Sequence, residues 1–165
     1  MQLKCPLMNI GIAVSMAVCG MCLYAKTSSA NGTVAKVVEK SDAVAQFRYA
    51  EMLRDGRGVA KNVREAVTWT RKAADGDLAA AQCQMGLFYM NGIGVDRDED
   101  KAIEWLNKAA EQGNARAQVW IGGRYLNGTG VEKEEFEAVK WFRKAAEQGH
   151  KDAETALQKL QESQS

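Results

Sequence analysis

Several short clusters in this chain carry residue types that could do chemistry. Gly56-Arg57-Gly58, Gly92-Ile93-Gly94 and Gly128-Thr129-Gly130 are Gly-x-Gly turns, whose backbone N–H groups could cradle a phosphate. They lack the third glycine, the preceding strand and the Lys-Ser/Thr pair of such a cradle, so they read as turns. Asp96, Asp98 and Asp100 alternate like the first ligands of a calcium loop. The sixth position of that loop is Lys101 instead of Gly, and the twelfth is Asn107 instead of Glu. They read as acidic residues opening a helix, where the macrodipole favours them. His150 is the only histidine, so a zinc site or a serine triad has no material. Cys83 has no histidine near it in sequence to act as a base, and reads as a partly buried, small apolar residue. No cofactor, metal or catalytic group is expected.

Tryptophans could stack on bases or sugars. Trp69, Trp105 and Trp141 stand 36 residues apart beside alanines, which argues for a core role. Trp120 differs, because the residues one and two periods before it are Gln84 and Arg48. It is the candidate exposed aromatic anchor, the residue type that dominates binding hot spots. The alternative is packing against the last helix.

These residues must be positioned by a repeat. Gly58, Gly94 and Gly130 are also 36 apart, as are Lys72-Ala73-Ala74, Lys108-Ala109-Ala110 and Lys144-Ala145-Ala146. Each unit reads as two helices. In the middle copy Ala81, Met85 and Tyr89 form an apolar stripe at a spacing of four residues, with Gly86 beside it for close helix approach. Glycine at 56, 92 and 128 suits a left-handed C-terminal cap, and Val59, Val95 and Val131 can drop into the core. Asn62 with Glu65 fits a capping box at the start of the second helix. Such pairs bury their apolar faces only against further copies, and about three are needed.

The run Ala117, Ile121-Gly122, Tyr125, Gly128-Thr129-Gly130-Val131, Lys140-Trp141, Lys144-Ala145-Ala146-Glu147-Gln148-Gly149 resembles the Sel-1-like repeat, a relative of the tetratricopeptide repeat. The resemblance implies an all-α, right-handed α-solenoid of helix–turn–helix repeats at 43–78, 79–114 and 115–150, with a partial copy at 151–162 as a capping helix. The first copy departs most, with Tyr49-Ala50 for Leu-Gly and Leu53 for Tyr. Such stacks bind proteins or peptides along the concave side, lined by variable positions of the first helices. Carried onto this chain, those positions are Phe47, Glu51 and Arg54, then Cys83, Leu87, Met90 and Asn91, then Arg116, Val119, Leu126 and Asn127, with Trp120 as the added anchor. Apolar residues flanked by Arg and Asn suit an apolar helix or extended peptide with a polar rim.

The 165 residues carry 22 basic and 21 acidic side chains, which gives no electrostatic case for nucleic acid. The N-terminus is different in kind. Lys4 precedes an apolar run from Leu7 to Tyr24, and Ser28-Ser29-Ala30 offers small residues for cleavage before Asn31. Residues 1–30 read as a signal peptide, with an uncleaved inner-membrane anchor through residues 5–24 as the alternative. Cleavage leaves Cys83 as the lone cysteine and no internal disulfide. Residues 31–42 read as a linker, with the possibility of helix at its end, and 163–165 as a tail. The expected protein is an exported, periplasmic or secreted, non-enzymatic adaptor for a protein or peptide partner. Two other functions stay open. One is a β-lactamase-like hydrolase or penicillin-binding activity, as linked to cysteine-rich relatives whose repeat-spaced cysteine pairs this chain lacks. The other is a membrane-tethered scaffold.

Overall fold

The computed structural model describes residues 28–39 and 41–163. Of the stretch 1–30 read from sequence as a signal peptide or anchor, residues 1–27, with Cys5, Cys19 and Cys22, lie outside the described residues. Among the described residues there are eight helices and no strand: α1 Ser28–Val38, α2 Ala43–Asp55, α3 Val63–Asp75, α4 Ala79–Asn91, α5 Glu99–Glu111, α6 Ala115–Asn127, α7 Glu135–Ala146 and α8 Lys151–Ser163. None is long and apolar enough to cross a membrane. The fold is an all-α repeat solenoid. It divides into two compact units between Trp69 and Thr70, within α3.

Helix ends follow local chemistry. Gly56, Gly92 and Gly128 end α2, α4 and α6 at φ of 73°, 65° and 69°, a conformation that side-chain-bearing residues avoid. Their N–H groups return to the carbonyls of Met52, Phe88 and Arg124. The next helix is then tied back by one recurring bond. The N–H groups of Asn62, Asp98 and Glu134 donate to the carbonyls of Leu53, Tyr89 and Tyr125 at 2.9, 3.0 and 3.0 Å. This changes the expected capping box. Asn62 Oδ1 accepts from the Glu65 N–H at 3.2 Å, but the Asn62 N–H is already used. Glu65 instead accepts from Asn62 Nδ2 at 3.1 Å.

In the first unit Tyr49, Leu53, Val59, Ala66 and Trp69 are buried together. The Tyr49 and Trp69 rings meet edge to face, with centroids 5.5 Å apart and planes at 78°. Burial, helped by the Glu65 charge, pushes the Tyr49 hydroxyl up to about 12. The stretch read as a linker is largely helix α1, and it ends with Val38 buried in this core beside Val34 and Ala35. Its valines recur at helical spacing, so an amphipathic stripe forms once there is a core to receive it.

The second unit builds its core on small-to-large packing. A Cβ at Gly86 would lie 2.6 Å from Leu106 Cγ, and one at Gly122 would lie 3.0 Å from the Phe142 ring. Missing side chains thus let α4 approach α5, and α6 approach α7. Only part of the expected tryptophan and valine burial occurs. Trp69 and Val59 are buried, but Trp105, Trp141, Val95 and Val131 are half-buried. The ammonium groups of Lys108 and Lys144 cover the Trp105 and Trp141 rings at 4.8 and 4.3 Å. A lysine three residues after the tryptophan sits on the same helix face, and a cation over an indole is a favourable pairing.

Two buried amides tie successive helix pairs together. Gln82 Nε2 donates to the Ala74 carbonyl at 3.3 Å, and Gln82 Oε1 accepts from Gln112 at 2.8 Å. Gln118 repeats both bonds, to the Ala110 carbonyl at 3.1 Å and from Gln148 at 2.9 Å. Gln118→Ala removes two hydrogen bonds, although the Ala110 carbonyl keeps the Gly113 N–H and Gln148 keeps the Lys144 carbonyl. It is expected to lower stability by about 1–3 kcal/mol, read as a lower urea midpoint at unchanged slope. An unchanged midpoint would show that water replaces the amide.

α8 closes the described stack. Ala153 is buried and Ala156, Leu157 and Leu160 pack against the α6–α7 core, while Glu154, Gln158 and Gln161 are exposed. Gln158 stands one period after Gly122, and Gln161 one period after Tyr125. The face that would receive another second helix is therefore polar.

Candidate interaction surface

The helices α4 and α6 carry most of the candidate residues. On α6 the stripe at helical spacing holds Arg116, Val119, Trp120, Gly123, Leu126 and Asn127. Arg116 and Asn127 are exposed, Val119 and Leu126 are half-buried, and Trp120 is 40 % exposed. Trp120 is thus open, as its departure from the repeat pattern suggested. Leu126 and residues of α8 form an open groove of about 570 Å³, lined by Leu126, Asp152, Thr155, Ala156, Lys159 and Leu160. The α8 members were not among the sequence candidates. The signal was present, since Asp152, Thr155 and Ala156 stand one period after Arg116, Val119 and Trp120.

On α4 the structure corrects the expected surface. Leu87 is buried, with 5 % exposure, and Cys83 is fully buried instead of partly so, at 3 %. Cys83 packs among Leu106, Ala109, Ala110, Ala117 and Ile121. Burial pushes its thiol up to about 11, against the opposing pull of Arg116. It therefore stays protonated and unreactive at neutral pH. Met90 is half-buried against the same cluster, and exposed Asn91 donates from Nδ2 to the Leu87 carbonyl at 2.9 Å. Of the α4 candidates, only Met90 and Asn91, at its C-terminal end, stay accessible.

In the first unit Phe47, Glu51 and Arg54 are half-buried on α2. Arg54 is engaged locally, with its Nε donating to Asp55 Oδ1 at 2.8 Å and its Nη2 3.9 Å from Glu51. That bond holds the Asp55 carboxyl below the usual carboxylate range. Of the three aspartates read as a helix opening, Asp98 caps α5 and Asp100 lies in its first turn, whereas Asp96 stands in the preceding loop. Asp98 Oδ1 accepts from the Lys101 N–H at 3.0 Å, and its other oxygen pairs with Lys101 Nζ at 2.7 Å, which lowers its pKa. Among the described residues no group of three or more His, Cys, Asp and Glu could hold a metal ion.

The family model for the Sel1 repeat matches residues 43–78, 79–114 and 115–150. The chain belongs to the Sel1 repeat family. Among solved structures, a Sel1 repeat protein from Oxalobacter formigenes is 33% identical with a TM-score of 0.76, over 90% of this chain and 59% of its own. A protective antigen of uropathogenic Escherichia coli that displays the same fold is 26% identical with a TM-score of 0.67, over 89% of this chain and 35% of its own. Cysteine-rich protein B of Helicobacter pylori is 27% identical with a TM-score of 0.59, over 77% of this chain and 96% of its own. The chain thus spans less than two thirds of the first two. No curated protein is matched.

Sel1 repeats are generally non-catalytic scaffolds for protein–protein interaction. Against that shared frame, the third Sel1 repeat departs at three neighbouring positions. Trp120 stands where the others have Arg48 and Gln84, Gly123 where they have Glu51 and Leu87, and Arg124 where they have Met52 and Phe88. Arg124 points inward, with 7 % exposure, and its Nη2 lies 3.5 Å from Glu99 Oε2. Trp120 and Gly123 face outward and change what the surface offers.

Proposed function

We propose that this Sel1 repeat protein is an adaptor that holds a protein or peptide partner on the face formed by α6 and α8. The observation that carries this reading is Trp120. It is a tryptophan absent from the equivalent positions, 40 % exposed, on the same stripe of α6 as Leu126, which lines an open, largely apolar groove. Aromatic anchors of this kind supply much of the affinity of protein interfaces. Leu126, Ala156 and Leu160 add apolar area, and Arg116 and Lys159 supply a polar rim.

The proposed location is the cell envelope or beyond it, after export. The support is the N-terminal sequence, with Lys4, the apolar run from Leu7 to Tyr24 and the small residues before Asn31. Intact mass of the protein from an export-competent host is expected to match a chain starting at Asn31. Retention of residues 1–30 would instead support the membrane-tethered form.

A photoreactive amino acid at position 120 of the full-length protein tests the surface in the native host. It is expected to crosslink one discrete partner. In separate pull-downs, Trp120→Ala combined with Arg116→Glu is expected to reduce recovery of that partner at least tenfold, which corresponds to about 1.4 kcal/mol or more. Undiminished recovery would move the binding site elsewhere on the repeats.

A further inference from the structure

Gly123 lies mid-helix on α6, where glycine weakens a helix unless something requires it. Gly86 and Gly122 are required, because a Cβ there would strike Leu106 or Phe142. At Gly123 a Cβ would meet nothing within 4 Å. The position breaks the helix rule with no gain inside the molecule, a signature of sites that serve an external partner. It is flanked one turn earlier by exposed Trp120 and one turn later by Leu126, which opens the groove shared with α8. Lys159 is its counterpart one period on and lines that groove. Arg116 and Lys159 are exposed, and neither has an acidic partner among the described residues. Asp152 is the one acidic residue in the groove lining, and it stands 4.0 Å from His150 Nδ1.

We propose that Gly123 is a cleared seat for the backbone of an extended, acidic–apolar segment of a partner protein. One apolar side chain of that segment packs beside Trp120 and another enters the groove over Leu126 and Leu160. A carboxylate of the segment pairs with Lys159. With Lys159 in the groove lining and Arg116 on the same face of α6, against the single carboxylate of Asp152, the face carries a net positive charge and complements a segment that alternates apolar and acidic residues. Absence of a side chain at Gly123 lets the main chain lie directly on the helix. This proposal rests on the α6–α8 reading above and adds the partner's chemistry and conformation.

A peptide array tests it, with labelled full-length protein probing twelve-residue sequences of acidic–apolar, basic–apolar and neutral–apolar composition. Acidic–apolar peptides are expected to bind at least tenfold tighter than the other two sets. Lys159→Glu is expected to abolish that preference. Gly123→Leu, which installs the residue found at position 87, is expected to weaken binding at least tenfold with no fall in melting temperature. Gly123→Ala, a smaller obstruction, is expected to raise the melting temperature and weaken binding less. Equal binding of the three sets overturns the acidic partner, and wild-type binding by Gly123→Leu overturns the seat. Either failure with photocrosslinking at position 120 intact leaves the adaptor surface standing. Loss of that crosslinking with a retained acidic preference separates the opposite case.

Discussion

Gly86→Ala is expected to destabilise the protein by about 2 kcal/mol, although alanine is the better helix former. Helix propensity favours the change by about 1 kcal/mol. The new Cβ, however, would lie 2.6 Å from Leu106 Cγ and 3.0 Å from the Ala102 carbonyl oxygen. The carbonyl belongs to the α5 backbone and cannot swing aside, so the two helices must separate. Overpacking of this kind costs about 3 kcal/mol at its upper end, and it outweighs the gain. Thermal unfolding should show a melting temperature lower by several degrees. The partner substitution separates sterics from other causes. Leu106→Ala alone removes a fully buried side chain and should cost about 2–5 kcal/mol. In the double variant the two losses should fall short of their sum by at least about 1 kcal/mol. Strict additivity would mean that the helices do not meet at this point. Gly123→Ala is the control on the same scaffold, since it gains propensity with nothing to strike.

Arg124→Met should stabilise the protein by about 1–3 kcal/mol, against the habit of reading a buried ion pair as a strut. The Arg124 side chain is 7 % exposed, and its Nε and Nη2 have no hydrogen-bond acceptor among the described residues. Its one acidic neighbour is Glu99, 3.5 Å away, half in solvent and also paired with Arg97. Removing a guanidinium from water is expensive, and a shared, exposed carboxylate at that distance returns little of it. The first repeat already carries Met52 at this position, so an unbranched apolar side chain suits the helix. Glu99→Gln should have the opposite sign but a small size, a loss of at most about 1 kcal/mol, because the exposed carboxylate is shared with Arg97. Urea titrations of the three proteins settle the order. A loss of stability in Arg124→Met would show that the guanidinium makes packing contacts worth more than its desolvation.

The equivalent positions explain why these two sites were hidden. Gly86 was legible as a close approach, since it stands beside the apolar stripe of Ala81, Met85 and Tyr89. Its partner was not, because nothing local says whether Leu106 or a residue beside it fills the gap. Arg124 sits at a position that is apolar in the other repeats, yet a long charged side chain there could equally have reached solvent. The paired glutamines show the same limit. Gln82 and Gln118 recur at the repeat period, but Gln112 and Gln148, the amides that complete them, are 30 residues further along.

The candidate surface divides along similar lines. Trp120, Arg116 and Leu126 were legible because they vary at a fixed place in a repeating frame. Leu87 and Cys83 met the same criterion and proved buried, since exposure on α4 depends on what the adjoining helices cover. The groove residues of α8 were absent from the sequence candidates because that helix reads as a cap, and a cap can also form one wall of a groove.

The amino-acid sequence by itself determined the 36-residue period, the helix limits, the turn glycines and the family. Each is set by local chemistry. Backbone ends need caps, left-handed turn positions need glycine, and a helical stripe needs apolar residues at its own spacing. Only the tertiary structure decided which variable residues stay open, which tryptophans are covered by lysine, and that Gly123, unlike Gly86 and Gly122, faces empty space. Those outcomes depend on volumes and distances between helices that are far apart in the chain, and no single helix carries that information.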